Sequence, residues 1–164
     1  MIDTYSVPLT TLVKDFNLDI VFEAADYASI RLTVEDISRP GMQLAGYFDH
    51  FDPVRLQVLG RVEMSYLEKR TAEERMQIFD RLFSYRFPAL LIARGLRPSE
   101  ECLKMARKHN VTVLSSQEAT STLVSTIITY LRAALAPRIT RHGVLMEVYG
   151  EGVLLTGDSG IGKS

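Results

Sequence analysis

The sequence predicts an α/β fold: an N-terminal α/β domain with a partly parallel sheet, followed by a β-hairpin leading into the P-loop of a truncated second domain. Three observations predict it. Between residues 71 and 114 apolar segments alternate as helix, strand, helix, strand with short connections, the rhythm of parallel strands joined by crossover helices. A long helical pattern over 119–135 is stopped by Pro137, and beyond it the chain changes from helix-rich to strand, turn, strand and loop. Finally, Gly157-Asp158-Ser159-Gly160-Ile161-Gly162-Lys163-Ser164 fits the phosphate-binding spacing G-x-x-x-x-G-K-[ST] at every fixed position.

Residues 8–17 place Leu9, Leu12, Val13 and Phe16 at spacings of three and four, a short amphipathic helix that leads to a strand at Ile20–Phe22. Ile30–Ile37 reads as a second strand running into Ser38-Arg39-Pro40-Gly41, where proline and glycine enforce a turn. Leu56–Leu59 reads as a short buried strand. Thr71 and Glu74 have the spacing of a capping box, and Ala72, Met76, Phe79 and Phe83 continue one helical face until Pro88. Ala89–Ala93 is a compact apolar strand. Ser99 caps the next helix, with Leu103 and Ala106 facing inward and Asn110 as a left-handed terminator before a strand at Val111–Leu114. In the long helix Leu123, Ile127 and Leu131 form one stripe, with Val124 and Ile128 beside it. The expected domains are 1–135, a linker at 136–141, and 142–164 as the start of a catalytic domain.

Composition narrows the classes. The chain has 164 residues, 46% of them hydrophobic, enough for one domain with a buried core and the beginning of a second. A net charge of -1 with scattered lysines and arginines leaves no electrostatic footprint for nucleic acid, which is not an expected partner. The single cysteine, Cys102, excludes an internal disulfide and a cysteine-based zinc site. The N-terminus has no basic region followed by an apolar run, and no window reaches the roughly 20 apolar residues of a membrane span. A soluble, cytoplasmic protein is expected.

The chemistry is concentrated at the end of the chain. Glycines let the backbone close around phosphates at positive φ and point successive amides at the anion, Lys163 brings a mobile positive charge to the outer phosphates, and the Ser164 hydroxyl can ligate Mg²⁺. Val153-Leu154-Leu155-Thr156 is the apolar strand that should precede such a loop. Val144–Tyr149 and Gly152–Thr156 read as a hairpin turning at Gly150-Glu151. If Tyr149 pairs with Gly152, Val144 faces Gly157 and His142 reaches about the level of Ser159. There His142 either orients or protonates a phosphate oxygen or merely packs the strand end.

Other candidates are weaker. His50, flanked by Asp49 and Asp52, has no second histidine or cysteine at ligand spacing and is read as part of a loop with two buried phenylalanines. His109 complements a helix dipole. Arg94 is expected at the carboxyl end of its strand, where open α/β sheets place ligands, or as an ordinary surface charge.

The chain resembles the HPr kinase/phosphorylase family over nearly its whole length. The strings that carry the resemblance are Arg39-Pro40-Gly41-Met42-Gln43-Leu44-Ala45-Gly46-Tyr47-Phe48, then Gln57-Val58-Leu59-Gly60 with Glu63 and Leu67, and Leu135-Ala136-Pro137-Arg138. Most specific is His142-Gly143-Val144 with Val148-Tyr149-Gly150 leading into the P-loop. The resemblance implies use of ATP or pyrophosphate to phosphorylate a serine of the phosphocarrier protein HPr, reversal by phosphorolysis, a role in carbon catabolite repression, a requirement for Mg²⁺ and a homohexamer. It implies that Gly157 to Ser164 hold the nucleotide, that Lys163 and His142 are active-site residues, and that Ser164 contributes to the Mg²⁺ site. It gives residues 1–135 a fold but no chemistry. The family's further metal ligands, catalytic aspartate and HPr-binding region follow the P-loop, so a chain ending at Ser164 is expected to be inactive alone. Two other classes compete: a generic P-loop small-molecule kinase, and a non-enzymatic metabolite-binding or assembly module.

Overall fold

The computed structural model describes residues 5–138, 143–157, 160 and 162. These divide into two compact units, Tyr5–Ala136 and a second drawn from Pro137–Ser164. The first unit begins with β1 (Val7–Pro8), α1 (Leu9–Asp15) and β2 (Asp19–Phe22), followed by a 3-10 turn at Tyr27–Ser29. After it come β3 (Arg31–Leu32), β4 (Ile37–Ser38), α2 (Gly41–Leu44), β5 (Leu56–Leu59), α3 (Arg61–Glu68) and α4 (Ala72–Ser84). It ends with β6 (Ala89–Ile92), α5 (Glu100–His109), β7 (Thr112–Ser115) and α6 (Thr120–Leu135). The second unit carries β8 (Gly143–Val148) and β9 (Glu151–Thr156).

The sheet of the first unit has the order β2-β7-β6-β5-β4, with β4 to β7 parallel and β2 antiparallel at one edge. LQVL and ALLI are buried at every position, as strands covered on both faces must be. Period-two alternation splits their side chains between two cores. Leu56, Val58, Ala89 and Leu91 join Leu9 and Leu12 of α1 and Leu123, Ile127 and Leu131 of α6. Leu59, Leu90 and Ile92 pack on the other face with Phe79, Phe83, Cys102 and Ala106.

The local signals act as their chemistry requires. The Thr71 hydroxyl accepts the Glu74 N–H at 3.1 Å while the Glu74 carboxylate accepts the Thr71 N–H at 2.9 Å, satisfying two of the donors left over at the start of α4. The Ser99 hydroxyl accepts the Cys102 N–H, and Asn110 ends α5 at φ 56°. Along α5 the fully inward positions are Cys102, Met105 and Ala106, with Leu103 only half-buried.

Three expectations are corrected. Ile30–Ile37 is not one strand: Arg31–Leu32 pairs with β1, Ile37–Ser38 pairs with β5, and the two lie in different sheets. The intervening Glu35 and Asp36 reach Arg132 at 3.3 Å and Arg55 at 3.6 Å, exposed pairings that a buried ladder would forbid. The Pro40-Gly41 step opens a helical turn, α2, which buries Leu44. A helix not anticipated at all, α3, starts from Gly60, where the Glu63 carboxylate accepts the Gly60 N–H at 2.8 Å.

Candidate functional site

From Gly143 onward the described residues of the second unit are the hairpin strands with their turn, and the glycines Gly157, Gly160 and Gly162. The hairpin pairs Val148 with Glu151, Val144 with Leu155 and Gly143 with Thr156. Its turn is therefore Tyr149-Gly150, not Gly150-Glu151, and both residues are left-handed, at φ 52° and 84°. That is the two-residue geometry whose twist matches antiparallel strands, with glycine in the second place. The expected level of His142 with Ser159 assumed a register the hairpin does not adopt. Both residues lie outside the described residues, as do Asp158, Ile161, Lys163 and Ser164.

Gly143 is required by crowding, since a Cβ there would stand 2.5 Å from the Leu155 carbonyl oxygen. Gly160 and Gly162 are required by conformation: their φ angles are +88° and +86°, and a Cβ on either would meet nothing within 4 Å. Gly157 follows β9, and left-handed glycines such as Gly160 and Gly162 are the residue conformation with which a backbone turns amides toward an anion.

In the first unit, residues far apart in sequence meet at the carboxyl ends of the parallel strands. Arg39, just after β4, contacts both carboxylate oxygens of Glu63, with its Nη2 at 2.8 and 2.9 Å. Glu63 is 6% exposed and Arg39 45%, so one half of the pair is buried and the other reaches water. Burial pushes the Glu63 carboxyl up, but hydrogen bonds from Arg39 and from the amides of Glu63 and Gly60, with the Arg39 charge, outweigh it and hold the group below its ordinary range. Gly60 is the close-approach point of this cluster. A Cβ on it would lie 2.6 Å from the Thr120 hydroxyl oxygen, 2.9 Å from the Thr120 methyl and 3.2 Å from the Arg39 guanidinium. Thr120 is buried at the start of α6 and stiff at χ1, so it has no free path to retreat. Gly60→Ala is expected to cost about 1–3 kcal/mol by overpacking, read as a lowered denaturation midpoint with an unchanged denaturant slope.

Arg94 does stand just beyond the carboxyl end of β6, exposed and left-handed at φ 62°. Its N–H donates to the Glu118 carbonyl at 2.9 Å and that of Gly95 to the Ser116 carbonyl at 2.8 Å, so its backbone has a structural task. His50 is an exposed, left-handed residue (φ 62°) in a loop whose Phe48 and Phe51 are half-buried, not buried, and pack with Tyr85. His109 closes α5, and its Nε2 lies 2.7 Å from the Asp80 carboxylate, a partner on α4 that helix position alone did not suggest. Among the described residues no group of three or more His, Cys, Asp or Glu side chains is placed to hold a metal. Among the same residues no helix is long and apolar enough to cross a membrane.

A P-loop spacing directly behind a strand, in a unit that follows an α/β domain, is the sequence pattern of the P-loop class. The chain belongs to the HPr serine kinase family: residues 7–131 match the HPr serine kinase N terminus and residues 133–164 the HPr serine kinase C-terminal domain. It is 45% identical over 159 residues to the HPr kinase/phosphorylase of Alkaliphilus metalliredigens, covering 97% of this chain and 51% of that protein. With the HPr kinase/phosphorylase of Lachnoclostridium phytofermentans the identity is 40% over 160 residues, covering 98% and 52%. The chain spans about half the length of the curated relatives it matches. A solved structure of the CBS and DRTGG domains of the regulatory region of Clostridium perfringens pyrophosphatase, complexed with the activator diadenosine tetraphosphate, matches with a TM-score of 0.54 at 16% identity. That match covers 80% of this chain and 51% of the other, and is a likeness of fold alone.

Proposed function

We propose that this chain supplies the N-terminal domain and the phosphate-binding loop of an enzyme that phosphorylates a serine of the phosphocarrier protein HPr and reverses the modification by phosphorolysis. The observation that carries this reading is a complete P-loop spacing directly behind β9, within the segment that matches the family's C-terminal domain. In the forward direction the serine oxygen bonds to the terminal phosphorus of ATP or pyrophosphate, the bridging P–O bond breaks and the hydroxyl proton departs. In reverse, an oxygen of inorganic phosphate attacks the phosphoserine phosphorus, the serine oxygen leaves and takes a proton, and pyrophosphate is released.

Within this scheme Gly157, Asp158, Ser159, Gly160, Ile161, Gly162, Lys163 and Ser164 wrap the donor phosphates, and the open space beside the left-handed Gly160 and Gly162 suits oxygens there. Lys163 offsets charge on the transferred group. Ser164 would hold Mg²⁺, which when bound neutralises phosphate charge and orients the donor. His142 has the role of orienting or protonating a phosphate oxygen. The working enzyme is a cytoplasmic homohexamer acting in carbon catabolite repression, and this chain alone does not catalyse.

Two experiments test the reading. In the full-length protein Lys163→Ala is expected to lower both HPr phosphorylation and phosphorolysis by about 10²-fold or more, the loss typical of removing one preorganised electrostatic contact. Unchanged rates would remove Lys163 from the site. Incubating this 164-residue chain with ATP, Mg²⁺ and HPr should give no phosphoserine, and its appearance would overturn the inactivity of the chain by itself.

A further inference from the structure

We infer that the first unit has a binding site of its own, for a small monocarboxylate with an apolar body, in the cavity between α3, α4 and α5. This goes beyond the phosphoryl-transfer reading and does not depend on it. The cavity measures about 280 Å³ and lies at the carboxyl ends of the adjacent strands β5 and β6, whose last residues, Leu59 and Ile92, pair in the sheet and line it. Open α/β sheets place ligands at that end because loops and helix starts converge there. The volume equals that of about nine liquid waters, which suits an occupant of on the order of ten heavy atoms.

The lining selects the chemistry. Met64 and Leu67 of α3 and Phe79 of α4 supply apolar surface that would disfavour a nucleotide or another polyanion. Positive charge enters at two points, Arg75 and the exposed Arg97. Arg75 is pre-positioned: its Nη2 meets Glu101 at 3.0 Å and its Nη1 donates to the Arg70 carbonyl at 2.6 Å. Its Nε–H is buried and finds no acceptor among the described residues. That Nε is sealed from solvent and so from a ligand, but each Nη nitrogen carries a second N–H, which an acceptor held in the cavity that Arg75 lines can engage. Ser99, the cap of the ten-residue α5, stands in the same wall and adds the favourable field of a helix start. Glu68 in the lining and Glu101 beside Arg75 limit the negative charge that can be accepted. One carboxylate directed toward the arginines, with an apolar body over Leu59, Phe79 and Ile92, is the chemistry this lining favours.

The test is a titration of the whole ¹⁵N-labelled chain with benzoate and with hexanoate, followed by backbone amide shifts. The expected result is a saturable response centred on Met64, Ser99 and Cys102, at least tenfold weaker with benzamide and hexanamide and at least tenfold weaker in Arg97→Gln. Arg75→Gln should abolish the response. If that variant does not fold, Arg97→Gln and the amide analogues still decide. Absence of saturable shifts, equal binding of the amides, or a cavity response to ATP matching that to the carboxylates would overturn the proposal.

Discussion

Replacing Phe83 by alanine is expected to lower the unfolding free energy of the first unit by about 3–5 kcal/mol, the cost of deleting a buried aromatic ring and leaving a cavity. Phe83 is fully buried on α4 and stands in a row with Phe79 and Phe87, ring centroids 5.9 and 5.5 Å away and planes inclined by 26° and 29°. Phe79 precedes it by one helical turn, while Phe87 lies beyond the helix end, so the row ties α4 to the segment entering β6. Domains of this size are stable by about 5–15 kcal/mol in total, so the variant should lose a large share of its margin. Urea denaturation of Phe83→Ala beside Phe83→Leu measures it. A loss below about 1 kcal/mol in the alanine variant would mean that α4 does not seat on the sheet as described.

The second large effect is at Glu63. Glu63→Ala removes the acceptor of the Gly60 N–H together with the partner of Arg39, and is expected to cost about 2 kcal/mol. The figure stays below the 3–5 kcal/mol of a fully buried pair because Arg39 can return its charge to water. The pair also sets a pH dependence. The Glu63 carboxyl is held below its ordinary value of 4.5 in the folded state, so on acidification the unfolded chain takes up its proton first. Its stabilising contribution is therefore complete above the ordinary value and is lost as pH falls through the depressed one. Stability curves measured from neutral to strongly acidic pH should be shallower for Glu63→Gln than for the parent. Some slope should remain, from Asp80, held down by hydrogen bonds from His109 and Lys108, and from Glu101, held down by one from Arg75. Identical slopes in parent and variant would show that the pair is not formed.

What could be read from the sequence depended on how local its cause was. The capping box of α4, the Asn110 terminator and the buried strands LQVL and ALLI each carry their signal within a few residues, and all were legible. Helix α3 was not, because its cap is glycine and its exposed Val62 breaks the apolar stripe that would have announced it. The hairpin was legible, its register was not: glycine is acceptable in either place of a two-residue turn, and the choice fell to Tyr149 adopting a left-handed conformation that tyrosine seldom takes. The P-loop spacing could be read because its chemistry demands fixed residue types at fixed positions. The Arg39–Glu63 pair and the cavity beside Arg75 could not, since each joins segments at least 20 residues apart whose meeting is decided by the sheet order.

That sheet order also imposes a timetable on synthesis. Among the described residues strand β2 has one neighbour, β7, and Asp19 pairs with Ser115, while the Tyr130 hydroxyl of α6 donates to Asp15 of α1 at 2.8 Å. A nascent chain emerging from the ribosome can pair β1 with β3 early, but β2 waits for β7 while nearly all the rest of the domain is made, and the β4-β5-β6 ladder can assemble before the edge strand closes. Until α6 has left the exit tunnel, the core that Leu9 and Leu12 of α1 share with Leu123, Ile127 and Leu131 stays open on that side, and that interval is when a chaperone would have most to hold.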